Sequence, residues 1–80
     1  MPTVLRIGGF RFHFFSHEPG EPPHIHIDCA GTDCKTWLDP VSVARNRGMS
    51  PRDLGRALTL VRENRILLQE AWHGYFGINR

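Results

Sequence analysis

The chain has 80 residues, a hydrophobic fraction of 40% and a formal net charge of +2, which suits one small globular domain with a modest core. No apolar stretch approaches the ~20 residues that a membrane-spanning helix requires. No signal-peptide pattern is present either, so we expect a cytoplasmic protein. The mild basic bias permits contact with nucleic acid without requiring it.

The chain begins with two β-rich runs, Thr3–Ile7 and Phe10–Ser16, on either side of Gly8 and Gly9. Two glycines between such runs predict a hairpin, because both turn positions can take positive φ at little steric cost. The predicted cross-strand pairs are Ile7 with Phe10, Arg6 with Arg11, Leu5 with Phe12 and Val4 with His13. One face of the hairpin is then apolar, whereas the other brings two arginines opposite each other.

A proline-rich loop over residues 17–23 leads into a segment in which polar and apolar residues alternate strictly. In a β-strand, alternate side chains point to opposite faces. The third strand, His24–Cys29, therefore presents His24, His26 and Asp28 on one face and the two intervening isoleucines on the other. We expect the isoleucines to face the core.

After a turn, the fourth strand is predicted over Cys34–Leu38, with Lys35 and Trp37 on its polar face. The two cysteines, Cys29 and Cys34, are spaced C-x4-C. No second pair completes a zinc site, and a structural disulfide is not expected in the cytoplasm. We therefore expect two free thiols beside a turn.

The C-terminal half predicts two helices. Asp39 followed by Pro40 is typical of a helix N-terminus and predicts a short helix that ends near Asn46. Ser50 repeats this signal and predicts a long helix with a broad apolar arc that continues to about Tyr75. Such a helix overhangs a four-stranded sheet, so it could also contact a second protomer.

These elements predict a single α+β domain over residues 1–80, with a four-stranded antiparallel meander covered on one face by the short helix and the long C-terminal helix. The other face of the sheet then collects polar side chains from all four strands: Arg6, Arg11, His13, His24, His26, Asp28, Lys35 and Trp37.

This polar face suits RNA, because arginine and lysine bind phosphates and Trp37 can stack on a base. His24 and His26 are the acid–base candidates, since imidazole titrates near neutral pH. A solvated sheet face without any ligand is the alternative.

A metal site is the weaker interpretation of the same histidines. His24 and His26 share one face about 6.5–7 Å apart, a separation that a metal can bridge with His13 or Asp28 as a further ligand. No second metal-binding motif accompanies this pair, and the sequence indicates no particular cofactor.

Asn64 and Arg65 lie on the apolar arc of the long helix, where neither side chain belongs without a partner. Either they anchor the loop that contains Glu21, Pro22 and Pro23 and so shape a site, or Asn64 bonds a loop carbonyl and Arg65 extends past the core to solvent.

Two further clusters could bind partners. Arg45 and Arg47 flank the predicted interhelix turn, where they could hold an anion or simply be solvated. The end of the long helix carries residues suited to a patch for a partner chain: Trp72, His73, Tyr75 and Phe76.

Several segments resemble one known family: Met1–Phe12, the motif Glu21-Pro22-Pro23-His24-Ile25-His26-Ile27, Lys35–Val41, Glu63-Asn64-Arg65 and Ala71-Trp72-His73. The resemblance is to the small bacterial domain-of-unknown-function family numbered four-one-six-zero. It covers nearly the whole chain, and it implies a small cytoplasmic protein encoded beside another small domain, in a pattern like that of toxin–antitoxin modules. The motif residues that it implies to be important are Glu21, Pro22, Pro23, His24, His26, Asn64, Arg65, Trp72 and His73.

We therefore expect a toxin–antitoxin-like protein that binds or acts on RNA through its basic, histidine-bearing sheet face. The first alternative is a non-catalytic module that binds a neighbour-encoded protein through the long helix and the C-terminal aromatic residues, and a homodimer is a further possible partner arrangement. The second alternative is a divalent-metal-binding domain. The sequence does not decide whether the protein is an enzyme.

Overall fold

The computed structural model describes residues 3–15 and 20–76. One antiparallel sheet has its strands in chain order, and two helices follow it. The elements are β1 (Thr3–Ile7), β2 (Phe10–His13), β3 (His24–Cys29), β4 (Thr32–Leu38), β5 (Val41–Arg47), α1 (Pro51–Glu63) and α2 (Arg65–Phe76). β2 ends at His13, so the predicted continuation of the second strand through Phe14 and Phe15 is wrong. Its predicted end at Ser16 and the predicted loop residues 17–19 lie outside the described residues.

The α+β class is confirmed, and the first hairpin forms as predicted. Gly8 and Gly9 both have positive φ, +52° and +87°. The pairs Ile7 with Phe10, Arg6 with Arg11 and Leu5 with Phe12 are present. The fourth predicted pair is wrong: His13 lies opposite Thr3, because the register shifts between Thr3 and Leu5.

The sheet has five strands rather than four, because the predicted short helix is a strand. Leu38 pairs with Val41, so Asp39 and Pro40 form a two-residue hairpin turn rather than a helix N-terminus. Val41 and Val43 are β-branched residues, which favour strands. The ladder between β4 and β5 skips Ala44, so Thr36 lies opposite Val43 and Lys35 opposite Arg45.

The single long helix of the prediction is interrupted at Asn64, whose φ is −112°. The predicted start is confirmed: the Ser50 hydroxyl accepts a hydrogen bond from the Asp53 backbone N–H at 3.1 Å. The Asn64 side chain donates to the Leu60 carbonyl at 2.8 Å. An asparagine that bonds its own helix in this way competes with regular helix geometry, which explains the break.

The core is a single cluster that joins the apolar side of the sheet to both helices. Its buried members are Phe10, Phe12, Phe14, Ile25, Ile27, Cys34, Leu38, Met49, Ala57, Val61, Leu68 and Trp72. The predicted strand phase is confirmed, since Ile25 and Ile27 are fully buried. No helix in the described part of the chain combines the length and apolar character needed to cross a membrane.

The strand residues that alternate with this core form a second face, which we call the outer face. It consists of Arg6, Arg11, His13, His26, Asp28, Asp33, Lys35, Trp37, Arg45 and Arg47. The register fixes its composition: His13 lies opposite His26, and His26 lies opposite Lys35.

Candidate functional site

A recess of about 70 Å³ lies on the outer face and spans strands β2 to β5. Its lining residues are His13, Phe15, His26, Asp28, Asp33, Arg45 and Arg47. The rings of His13 and His26 stack with centroids 5.7 Å apart. Phe15 packs edge-on against His26 at 4.3 Å. The recess therefore combines two imidazoles, an aromatic wall, two carboxylates and two guanidinium groups.

Asp28 connects the recess to β2. Its Oδ2 atom lies 3.1 Å from Nε2 of His13 and 3.6 Å from Nη1 of Arg11. The contact with His13 is within ion-pair range but lacks hydrogen-bond geometry, and neither ring nitrogen of His13 has a hydrogen-bond partner among the described residues. Nε of Arg11 is likewise buried without a partner. This end of the outer face therefore contains buried polar atoms that nothing in the described chain satisfies.

Like charges face each other across neighbouring strands on this surface. Arg6 lies opposite Arg11, and Lys35 lies opposite Arg45. Asp28 lies opposite Asp33. Like charges at directly opposite positions destabilise a sheet, so this arrangement is not explained by stability.

The acidic side chains Asp28 and Asp33 offset the arginines of the outer face only loosely. The ion pairs Arg11–Asp28 and Arg47–Asp33 measure 3.6 and 3.9 Å, against about 2.7–2.9 Å for a charge-assisted hydrogen bond. No ion pair joins Arg45 to an acid within residues 3–15 and 20–76. The guanidinium groups around the recess therefore retain donors for a ligand.

Beside the recess, the outer face is more tightly organised. Lys35 forms an ion pair with Glu21, and its Nζ atom lies 4.9 Å from the ring centroid of Trp37. Glu21 thus lies against the outer face, next to the residue predicted to stack on a base.

His24 lies in the interior rather than on an open face. Its side chain is fully buried, and its ring lies 4.7 Å from that of Trp72 in α2 and 5.1 Å from that of His26. Its Nδ1 donates to the Pro22 carbonyl at 2.9 Å, since a carbonyl oxygen can only accept. His24 lies on the same side of β3 as His26, as predicted, but Trp72 packs on it, so the prediction that His24 belongs to the polar outer face is wrong.

The two prolines of the motif extend the sheet. The Pro23 carbonyl accepts from the Leu38 backbone N–H at 3.1 Å, which continues the β3–β4 ladder beyond His24. Together with the bond between His24 and Pro22, this contact fixes the entry of the chain into β3.

The other predicted site-shaping and partner residues lie elsewhere. Asn64 bonds α1 rather than the proline-rich loop, and Arg65 is exposed at the start of α2. Trp72 is fully buried and packs on Phe76 at 4.1 Å, so it is not available to a partner chain. Tyr75 is 45% exposed, and His73 is partly buried.

The described residues contain no group of three or more His, Cys, Asp or Glu side chains arranged to hold a metal ion. Although the recess has two histidines and two aspartates, its carboxylates are shared with arginines. The weak metal candidates, His24 and His26, belong to no such group.

The sequence prediction placed Arg45 and Arg47 beside an interhelix turn instead of on the sheet, because it assigned the residues of β5 to a helix. Phe15 and Asp33 were not singled out. The signal that could have found the two arginines is the β-branched alternation of Val41 and Val43, which predicts a strand next to β4.

Comparison with known families agrees with the resemblance noted above. The profile of a family described as a domain of unknown function, DUF4160, matches residues 9–73. The chain belongs to the DUF4160 family. The matched region of this DUF4160 chain includes every residue that lines the recess. No curated protein and no solved structure matches the chain.

Proposed function

We propose that this protein binds RNA through its outer face, as one component of a toxin–antitoxin-like pair. Phosphate contacts come from Arg6, Arg11, Arg45 and Arg47. Trp37 supplies a ring for a base at the edge of the same surface.

The observation that carries the proposal is the pair of like-charged contacts, Arg6 with Arg11 and Lys35 with Arg45. One cation of each pair is offset by an acid, Arg11 by Asp28 and Lys35 by Glu21, so the repulsion that remains falls on Arg6 and Arg45. A polyanion lying across the sheet relieves both, because one backbone phosphate can be shared by two neighbouring cations. Strand β5 strengthens the argument, since it adds two exposed arginines that a four-stranded sheet would lack.

Binding, rather than cleavage, is the activity that we propose. His24 is fully buried against Trp72. A general acid or base must come within hydrogen-bond reach of the proton it transfers, and His24 does not meet that condition. Of the two predicted acid–base candidates, His26 is the one that lines the recess on the outer face.

The cysteines support a cytoplasmic setting. Cys29 and Cys34 are both free thiols, which is the usual state of cysteine in a reducing compartment.

The test is the salt dependence of RNA affinity, measured by fluorescence anisotropy with a labelled single-stranded RNA. We expect the Arg45→Ala/Arg47→Ala variant to bind more weakly, with a log–log salt slope that is shallower by about 0.7 for each lost phosphate contact. The matched control is Arg52→Ala/Arg62→Ala, which removes the same charge from exposed positions of α1. Equal losses in the two variants would mean that only net charge matters, and salt-insensitive retention would remove the proposal.

A second candidate function is protein binding through α2, favoured by its exposed apolar side chains. Ile66 is 58% exposed and Leu67 is 46% exposed. We propose the neighbour-encoded small protein as the occupant. Co-expression tests this candidate: Ile66→Ser/Leu67→Ser abolishes a stable complex if α2 is the interface, whereas Arg45→Ala/Arg47→Ala leaves the complex intact.

A further inference from the structure

The buried polar atoms without partners are concentrated at one place. Five such side-chain atoms occur among the described residues, and three of them belong to two residues of β2: His13, which lines the recess, and Arg11, which contacts the lining residue Asp28. A buried donor or acceptor that makes no hydrogen bond is costly, and it often marks a position that a ligand or water completes.

The chemistry of these atoms indicates what would complete them. A guanidinium N–H can only donate, and an imidazole has one N–H donor when neutral and two when protonated. The carboxylates of Asp28 and Asp33 already face Arg11, His13 and Arg47. The missing partner is therefore a group rich in acceptors, which is the character of an oxyanion.

The size of the recess limits which oxyanions it can hold. Its volume of about 70 Å³ is well below the ~300 Å³ at which pockets begin to enclose a drug-sized ligand, so the recess suits a phosphate-sized group and not a nucleobase with its sugar. Arg45 and Arg47 line the recess from β5, opposite the two histidines, so donors are available on both sides.

We propose that the recess receives a terminal phosphate of the RNA, a phosphate monoester at one end of the strand. This inference rests on the proposed function and adds an end preference to it. A terminal phosphate is bonded to one sugar, so only one chain has to leave the recess. An internal phosphodiester is bonded to two sugars, and both would have to leave it. The open arginines, Arg6 above all, then hold the internal phosphates that follow.

The experiment compares one RNA oligonucleotide in three forms, with a 5′-phosphate, with a 3′-phosphate and with hydroxyl groups at both ends. Anisotropy titrations with wild-type protein should show one phosphorylated form binding about tenfold more tightly than the hydroxyl form, as expected for a small set of charge-assisted hydrogen bonds. Arg47→Ala, at a side chain that is 66% exposed and so tolerates truncation, should abolish the preference. Arg6→Ala, outside the recess, should weaken all three RNAs by the same factor.

The outcomes separate the inference from the function on which it rests. Equal affinity for the three forms, with a normal salt slope, overturns the terminal-phosphate site and leaves RNA binding in place. No binding of any form overturns both. Adenosine monophosphate serves as a competitor: if it binds as tightly as the phosphorylated RNA, the ligand is a free mononucleotide and the RNA-end assignment is overturned.

Discussion

The two ends of strand β3 lie in opposite environments, although their histidines are only two residues apart. At the first end, His24 is enclosed by Trp72, Trp37 and the Pro22 carbonyl. At the other end, His26 and Asp28 line a recess whose polar neighbours are incompletely satisfied. A single alternating motif therefore contains a structural half and a candidate functional half. Substitutions at the first end should change stability, and substitutions around the second should change affinity.

The largest effect on stability is expected at Trp72, the residue of α2 that packs against the His24 end of β3. Trp72→Ala removes a fully buried ring that contacts His24, Phe14 and Phe76, so we expect a loss of about 3–5 kcal/mol in the free energy of unfolding. That loss is a large share of the total for a domain of this size. Urea unfolding followed by circular dichroism measures it. Tyr75→Ala is the control, because this neighbouring side chain is 45% exposed and should cost under about 1 kcal/mol.

The His24→Ala variant tests the structural half directly. It leaves a cavity beside Trp72 and removes the donor to the Pro22 carbonyl, so we expect a destabilisation of about 2 kcal/mol. Under native conditions the RNA affinity of the folded fraction should not change. A variant with wild-type stability and lost RNA binding would reverse the assignment of the two ends.

Much of the fold that underlies this division could be predicted from the sequence. The glycine turn, the phase of β3 and the serine cap follow from local rules, and all three are confirmed. Strand β5 was missed because Asp39 and Pro40 satisfy both a helix N-terminus and a hairpin turn. The β-branched residues Val41 and Val43 favour the strand, and the pairing of Val41 with Leu38 decides between the two structures.

The site was harder to predict than the fold. Alternation assigns His24 and His26 to one face, but it carries no information about what covers each ring. Burial of His24 depends on Trp72, which is 48 positions further along the chain. The placement of Arg45 and Arg47 depended on β5, so the error in one element hid part of the recess.

A smaller effect, with the opposite sign, is expected on the outer face. Arg45→Thr removes the like charge opposite Lys35 and introduces a residue that favours strands, so the free energy of unfolding should rise by about 0.2–1 kcal/mol. RNA affinity should fall in the same variant. Thermal unfolding and anisotropy on one preparation measure both changes. Ser42→Thr, on the same strand, controls for strand propensity alone.

The smallest effect concerns alkaline pH and belongs to the core. Burial is the largest of several causes that raise the pKa of the Cys34 thiol above its ordinary value of 9.0. Because the unfolded chain loses this proton first, the contribution of Cys34 is fully present below pH 9.0 and declines as pH rises from 9.0 through the higher folded-state pKa. Urea titrations between pH 8 and 10.5 give the free energy of unfolding at each pH. The pH dependence of this free energy should differ between wild type and Cys34→Ala only above pH 9. Parallel curves over the whole range would contradict this prediction.

The most direct test of the central claim is to map the RNA footprint by NMR, following backbone amide shifts of the ¹⁵N-labelled protein during titration with a single-stranded RNA. We predict that the perturbed residues cluster on β2, β4 and β5 around Arg11, Lys35 and Arg45, with α1 and α2 unaffected. Shifts concentrated along α2, around Ile66 and Leu67, would contradict the account and identify the helix as the binding surface.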